Sequence, residues 1–220
     1  MQTASSIAAT ATVRPFRDSV DVAKSTDSMH VALAAAKAAV LRLIARNKLT
    51  HATTAFVMDI DDTLVFDENE DEDGRDLSHP CGKDMKELRA GMMELFTFCK
   101  RFGAVYLVTA REAAQDVSDF TVAELKAAHV RGWEKLFLCP RRMRGSWSDI
   151  AEFKRRARRS ITRNAKRHIL LTVGDKWSDH LAHVETADAD RAHAGKCKFM
   201  LLRVVDGHQH TVIALKLPAR

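Results

Sequence analysis

The sequence predicts an α/β fold in which helices cover both faces of a mainly parallel sheet. Short apolar runs alternate along the chain with segments whose apolar residues recur at helical spacing. Polar or charged residues also follow directly after several of these runs. Because the carboxyl ends of parallel strands meet at one edge of a sheet, we expect the chemistry of the protein to lie there.

The chain of 220 residues is long enough for one well-buried domain. Residues 1–27 show no clear pattern, so we expect a poorly ordered terminus, followed by a single domain over 28–220. The domain is predicted to begin with a helix, because apolar residues recur at three- and four-residue spacing. These residues are Met29, Leu33, Ala36, Val40 and Leu43.

The first predicted strand covers residues 55–61, an apolar run that ends in carboxylates. The acidic segment 66–82 is predicted to form a flap or loop near that strand end. A helix is predicted over 83–102, with Gly103 ending it. The short distance between this strand and helix leaves room only for a small or minimal cap over the site.

Alternation continues through the rest of the chain. Three further strands are predicted, at 104–109, 135–139 and 168–173. Two helices lie between them, one opened by the capping-box pattern Thr121-x-x-Glu124 and one over 149–167. The last apolar runs, 199–205 and 211–215, are predicted to form a terminal hairpin or two edge strands.

Composition argues against several classes of protein. The 35 basic and 29 acidic residues give a net charge of +6, which favours anionic partners without identifying them. The four cysteines form no CxxC pair, so we expect core thiols rather than a zinc site or a disulfide framework. We find no secretory signal and no apolar run long enough to span a membrane, so we expect a cytoplasmic protein.

The most informative peptide is Asp59-Ile60-Asp61-Asp62-Thr63, where a strand ends in three carboxylates. Carboxylates this close repel one another, and a bound cation would relieve the repulsion. The pattern indicates that one of Asp59 and Asp61 acts as a nucleophile and the other as an acid and base, beside a hard divalent ion. The alternative is a strand that ends in a solvated acidic turn.

Three other sets of polar residues fall at strand ends or on a helix that leads into a strand. Thr109-Ala110-Arg111 ends the second predicted strand, where a hydroxyl and main-chain NH groups could hold phosphate oxygens. Lys154 lies on the helix before the fourth strand, where an ammonium could neutralise a phosphoryl group. Asp175 and Asp179 follow the fourth strand.

In order, these residues resemble the four motifs of the haloacid dehalogenase-like (HAD) phosphatases: DIDDT, VTAR, Lys154 and GDKWSD. Within that superfamily the chain is similar to the class B and C acid phosphatases and their plant storage-protein relatives. The resemblance covers roughly residues 30–182, including the Gly-Asp-x-Trp-Ser-Asp peptide at 174–179. It implies a Rossmann-like HAD fold and a magnesium-dependent phosphatase.

The resemblance also implies how the acids are used. Asp59 would attack phosphorus and form an aspartyl-phosphate, while Asp61 would protonate the leaving group and then activate water. Magnesium would be held by Asp59, by the main-chain carbonyl of Asp61 and by Asp175, with Asp179 as a further ligand or a support behind the ligands.

The same comparison assigns phosphate binding to Thr109, Lys154 and the main chain at Ala110. Arg111 and Thr63 would support the site from behind.

The substrate stays open at this stage. Residues 141–168 hold eleven Arg or Lys residues against only two acids, which fits either a solvated helix face or a polyanion-binding surface. A phosphorylated small molecule is the leading expectation, and a phosphatase for nucleic-acid ends or phosphoproteins is the alternative. A third possibility is a non-catalytic storage or binding relative, which the presence of both Asp59 and Asp61 disfavours.

Overall fold

The computed structural model of the chain describes residues 19–26, 28–65, 85–180, 199–205 and 211–217, with the backbone alone for 19–26, 85–87, 177 and 199–205. The strands are β1 (Ser19–Thr26), β2 (Thr54–Met58), β3 (Ala104–Glu112), β4 (Lys135–Cys139), β5 (His168–Gly174), β6 (Phe199–Val205) and β7 (Thr211–Lys216). The helices are α1 (Met29–Asn47), α2 (Met85–Phe102), α3 (Gln115–Ala127) and α4 (Trp147–Asn164).

All seven strands belong to one sheet, in the order β1-β6-β7-β5-β2-β3-β4. The five strands from β7 to β4 pair in parallel, whereas β6 runs antiparallel to both of its neighbours. The prediction of a mainly parallel α/β sheet is confirmed. The final two apolar runs pair as an antiparallel hairpin, and β7 lies inside the sheet rather than at its edge.

Helices cover the two faces of this sheet, and alternate residues of β2 contribute to each side. Phe56 and Met58 belong to the core shared with α1 and α2, whereas Ala55 and Val57 belong to the core under α4. Every residue of β2 is buried, as expected for a central parallel strand covered on both faces.

The pairing of β2 brings three strand ends together. Met58, the last residue of β2, lies beside Leu107 of β3 and Val173 of β5. The peptides that follow β2 and β5, and the last residues of β3, therefore meet at one edge of the sheet.

The sequence did not predict β1. Residues 19–26 fall within the predicted N-terminal segment 1–27 and pair with β6 as β1. Only Val20 and Val22 stand out as apolar in this segment, so its local pattern is too weak to mark a strand. Its hydrogen bonds come from a partner far along the chain, which no local pattern records.

Several predicted bounds also change. The second predicted strand continues to Glu112 instead of ending at Thr109, so Ala110 and Arg111 lie within β3 rather than after it. Helix α3 begins at Gln115, before the expected start at Thr121. At the start of α4, the amide of Asp149 donates to the hydroxyl of Ser146, which caps the helix. The predicted flap at 66–82 lies outside the described residues.

Cys99 and Cys139 are buried free thiols, as expected, and the other two cysteines lie outside the described residues. None of the four described helices has both the length and the apolar composition of a membrane span.

Candidate active site

Asp59 lies at the centre of the polar edge, directly after β2. Its amide donates to the carbonyl of Val173 at 2.9 Å, which extends the pairing of β2 with β5 by one residue. The side chain is only 6% exposed. Its Oδ2 accepts a hydrogen bond from Lys154 Nζ at 3.0 Å, whereas Oδ1 has no hydrogen-bond partner among the described residues. One oxygen of this buried carboxylate is thus held and the other is unsatisfied.

Lys154 reaches Asp59 from α4, where it is one of the few buried polar residues of an amphipathic helix. Its ammonium donates to both Asp59 and Asp179. Burial alone would lower the pKa of Lys154, but these two carboxylates more than offset that effect and raise it above the ordinary value. The lysine is therefore a fixed positive charge between two acids.

Asp175 and Asp179 lie on the turn that follows β5, and Gly174 allows the turn to close tightly. The amide of Lys176 donates to Asp179 Oδ2 at 3.0 Å. A Cβ atom at Gly174 would lie 2.1 Å from the same oxygen, so any side chain there would displace Asp179. This contact explains why glycine precedes the acids.

The two acids of this turn carry opposite pKa shifts. Burial and the charge of Asp179 raise the pKa of Asp175 to about 6, although Lys176 Nζ lies 2.8 Å from its Oδ2. Burial opposes ionisation of Asp179 too, but the positive charge of Lys154 leaves its pKa below the ordinary value. Asp179 is thus the ionised partner of Lys154.

Asp59, Asp175 and Asp179 each offer one oxygen atom, and these atoms all lie within 4.8 Å of one another. Burial raises the pKa of Asp59 well above its ordinary value. The positive charge of Lys154 lowers this pKa only in part, and the negative charges of Asp179 and Asp175 raise it further. Buried carboxylate oxygens that repel one another, one of them unsatisfied, are the donor set that a hard divalent cation prefers. The residues present fit a divalent cation.

Asp61 lies on the open side of this cluster. The chain turns at Asp62, whose φ of 52° is left-handed, and the Asp61 side chain is half exposed. Thr109 Oγ1 donates to Asp61 Oδ2 at 3.1 Å, and Arg111 Nε donates to Oδ1 at 2.9 Å. Three residues that the sequence singled out thus contact one another directly.

Arg111 is held from behind by α3. Its guanidinium pairs with Glu124 and donates to the Thr121 hydroxyl at 3.3 Å. Burial would lower the pKa of Arg111, but the hydrogen bonds to Asp61 and Glu124 raise it above the ordinary value. The interpretation of Thr121-x-x-Glu124 as a helix start is wrong: both side chains lie within α3 and position Arg111.

The remaining predicted residues lie beside these groups. Ala110 is half buried between Thr109 and Arg111 on β3. Thr63 is buried in the turn after Asp61, and its hydroxyl has no hydrogen-bond partner among the described residues. Its amide donates to the carbonyl of Ile60 at 3.2 Å, which helps to shape the turn.

Sequence reasoning missed two residues that hold the turn after β5. Arg158, on α4, donates to the carbonyls of Ser178 and Asp179 at 3.1 and 2.8 Å. His180 is buried, and burial lowers its pKa to about 4. Arg158 was missed because it lies in the basic segment 155–159, where the sequence does not distinguish it from its neighbours.

Most of the basic segment 141–168 lies outside the site. Arg156 pairs with Glu152, and Arg163 is exposed further along α4. Trp147, at the start of α4, is 64% exposed. Lys154 contacts the carboxylates of Asp59 and Asp179, whereas Arg158 contacts the main-chain carbonyls of Ser178 and Asp179.

Comparison with protein families identifies the family of the chain. The model of the HAD superfamily, subfamily IIIB (acid phosphatase), matches residues 8–203, and the chain belongs to this family. The resemblance predicted from the four motifs is confirmed, as is the prediction of a phosphomonoester hydrolase. No curated protein matches the chain.

Proposed function

We propose that the protein is a magnesium-dependent phosphomonoester hydrolase that forms an aspartyl-phosphate on Asp59. The observation that carries this proposal is the buried carboxylate of Asp59, with Oδ2 held by Lys154 and Oδ1 unsatisfied. An unsatisfied buried carboxylate oxygen is costly, so its presence at the end of the central strand indicates a site built for a cation and an incoming phosphoryl group.

Asp59 would act first, with a carboxylate oxygen forming a bond to phosphorus while the bond from phosphorus to the leaving oxygen breaks. Asp61 would give its proton to that leaving oxygen. In the second step Asp61 would take a proton from water as the water oxygen attacks the phosphorus, which releases inorganic phosphate and restores Asp59. The half-exposed position of Asp61 suits this exchange of protons with solvent.

Other residues would bind the group in transfer. Lys154 is placed to neutralise charge on both Asp59 and a phosphoryl oxygen, and Thr109 with the main chain at Ala110 would donate to the remaining oxygens. Arg111 lies within reach of the same region through its contact with Asp61. These positive and NH groups match the anionic character of the transferring group.

The metal would be held by Asp59 and Asp175 together with the main-chain carbonyl of Asp61. Asp179 would either join them or hold Lys154 in place, since its carboxylate contacts that lysine and lies in the same cluster. When bound, magnesium would draw negative charge from the phosphoryl oxygens and ease attack by an anionic nucleophile.

The nucleophile is tested with Asp59→Asn and a matched control, Asp116→Asn, which changes an exposed acid of α3. We expect Asp59→Asn to abolish magnesium-dependent hydrolysis of an aryl phosphate while circular dichroism shows a folded protein. Wild-type enzyme quenched in acid during turnover should carry phosphate on the Asp59 peptide by mass spectrometry. Turnover at the control's rate in Asp59→Asn would overturn the assignment.

A small phosphomonoester is the substrate class that the family implies. A second candidate, the phosphorylated end of a nucleic acid, is favoured by Arg159 and Arg163 on the outer part of α4. If the substrate is a nucleic-acid end, the double variant Arg159→Gln/Arg163→Gln should bind an oligonucleotide more weakly and with a smaller salt dependence. The control double variant on α1, Arg42→Gln/Arg46→Gln, should change neither. Equal binding by the two double variants would leave the small phosphomonoester as the substrate class.

A further inference from the structure

Lys216 is a buried lysine at the carboxyl end of β7, outside the residues 8–203 that match the family. It is 6% exposed. Its ammonium donates to the carbonyl of Asp175 at 3.0 Å and to that of Leu217 at 3.3 Å. A strand that carries none of the four motifs thus contacts the main chain of a candidate metal ligand.

The carbonyl of Gly174, directly before Asp175, is held as well. The amide of Leu217, which follows β7, donates to the carbonyl of Gly174 at 2.8 Å. His180 Nε2 lies 3.4 Å from that carbonyl, and its Nδ1 lies 2.8 Å from Thr172 Oγ1. The carbonyl groups on both sides of the Asp175 Cα atom are therefore fixed by buried groups.

This support matters because the turn after β5 has little freedom to adjust. Gly174 packs so closely on Asp179 that a Cβ atom there would overlap it. The carboxylate of Asp175 joins the oxygen cluster only while its own backbone keeps its present orientation. A buried hydrogen bond from an ammonium to a carbonyl is charge-assisted and stronger than a neutral one, so it suits this task.

We propose that Lys216 is a positioning residue for Asp175: it holds the peptide of the proposed metal ligand and thereby sets the affinity of the site for its divalent cation. This inference rests on the proposed metal site. It adds to that site a residue from β7 that lies beyond the family match.

Two effects of Lys216 on metal affinity have opposite signs. Its positive charge lies near the acidic cluster and repels a second cation, so if charge dominated, a neutral residue would tighten metal binding. If positioning dominates, a neutral residue will weaken binding, by about 10-fold or more on the scale of groups that orient metal ligands. The direction of the change separates the two roles.

The experiment measures Mg²⁺ and Mn²⁺ dissociation constants by isothermal titration calorimetry, without substrate. Lys216→Met keeps most of the side-chain volume and removes the ammonium, and we expect it to bind both ions about 10-fold more weakly. Lys216→Gln keeps an N–H donor, so its affinity should lie between those of Lys216→Met and wild type. Ile213→Ala is the control, because it creates a cavity on the same strand away from the turn.

We expect Ile213→Ala to lower the thermal unfolding temperature of the metal-free protein without changing the dissociation constants. Equal or tighter metal binding by Lys216→Gln or Lys216→Met overturns the proposal, as does equal weakening by Ile213→Ala. If Lys216→Met does not fold, the comparison of wild type with Lys216→Gln decides alone. Absence of metal binding in wild type would instead count against the proposed function, so the two failures are distinguishable.

Discussion

Asp59 and Asp61 stand two residues apart in one peptide, yet they lie in opposite surroundings. Asp59 is buried between β5 and α4 and contacts an ammonium group, whereas Asp61 is half exposed and contacts the guanidinium of Arg111. The first belongs to a cluster of carboxylates that share one buried lysine, and the second shares Arg111 with Glu124 near solvent.

The difference shows how one strand end can supply two kinds of acid. A nucleophile benefits from a dry environment in which charge is fixed, because electrostatic interactions are strong where water is excluded. A group that gives and takes protons benefits from access to water. The burial of Asp59 and the exposure of Asp61 provide both environments. We call the surroundings of Asp59 the buried side and those of Asp61 the open side, and we expect substitutions on the buried side to have far larger effects.

The largest expected effect is on Lys154, whose removal leaves Asp59 and Asp179 buried without their shared cation. Lys154→Met should lower the free energy of unfolding by about 3–5 kcal/mol and abolish hydrolysis. Lys37→Met is the matched control, because Lys37 pairs with an exposed acid, Glu94, and should cost less than about 1 kcal/mol. Urea denaturation measures the free energy of unfolding of both variants. Equal decreases would show that the buried contacts of Lys154 stabilise the fold no more than the Lys37–Glu94 pair does.

The next effect concerns the tight turn of the buried side. Gly174→Ala should cost about 1–3 kcal/mol of unfolding free energy, because the new methyl group must displace Asp179. Gly145→Ala is the control, since its Cβ would meet its nearest neighbour at an ordinary 3.8 Å. Metal affinity should fall in the first variant and stay unchanged in the second. If calorimetry shows the same affinity for both, the packing of Gly174 on Asp179 does not shape the metal site.

The open side should show a smaller effect on stability and a clear one on turnover. Arg111→Lys keeps the charge but loses the two-nitrogen contact with Asp61 and the link to Glu124. We expect a loss of less than about 1 kcal/mol in unfolding free energy, but about a 10-fold fall in kcat. An unchanged kcat would show that the orientation of Asp61 does not limit the reaction.

The smallest effect lies outside the site, on α4. Hydrogen bonds from Arg155, and then from Arg156, lower the pKa of Glu152 to about 2, so its stabilisation is complete above the ordinary pKa of 4.5 and is lost as pH falls toward 2. Glu152→Gln should cost less than about 1 kcal/mol at pH 7, and the difference from wild type should shrink below pH 4.5. Urea denaturation across this range measures it, with Glu134→Gln, at an exposed position before β4, as the control. A difference that grows toward acid would mean that the arginines do not stabilise the ionised form.

The sequence predicted the centre of the site because its members follow a simple rule. Asp59, Thr109 and Asp175 lie at or near the ends of neighbouring parallel strands, and alternation of strands and helices indicates that such ends meet. Lys154 was found because its helix leads into one of those strands. Assignments of role to these residues stay predictions until they are tested.

Other members depend on contacts that no local pattern records. Glu124 looks like part of a helix start, but it lies within α3 and contacts Arg111. Lys216 lies on β7, which the sequence predicted either as part of a terminal hairpin or as an edge strand, whereas β7 lies between β5 and β6 in the sheet. Glu124 is placed by the packing of α3 against β3 and Lys216 by strand pairing, and both depend on the whole fold.

The pairing of β1 with β6 has a consequence for how the protein is made. Ser19 is synthesised long before its partner, Val205. A nascent chain can assemble the central strands β2 to β5 before β6 exists, and throughout that time the segment of β1 has no strand to pair with. Contacts so distant in sequence slow folding, and an unpaired strand can pair with other chains. We therefore expect closure of this outer pair to be a late step of folding.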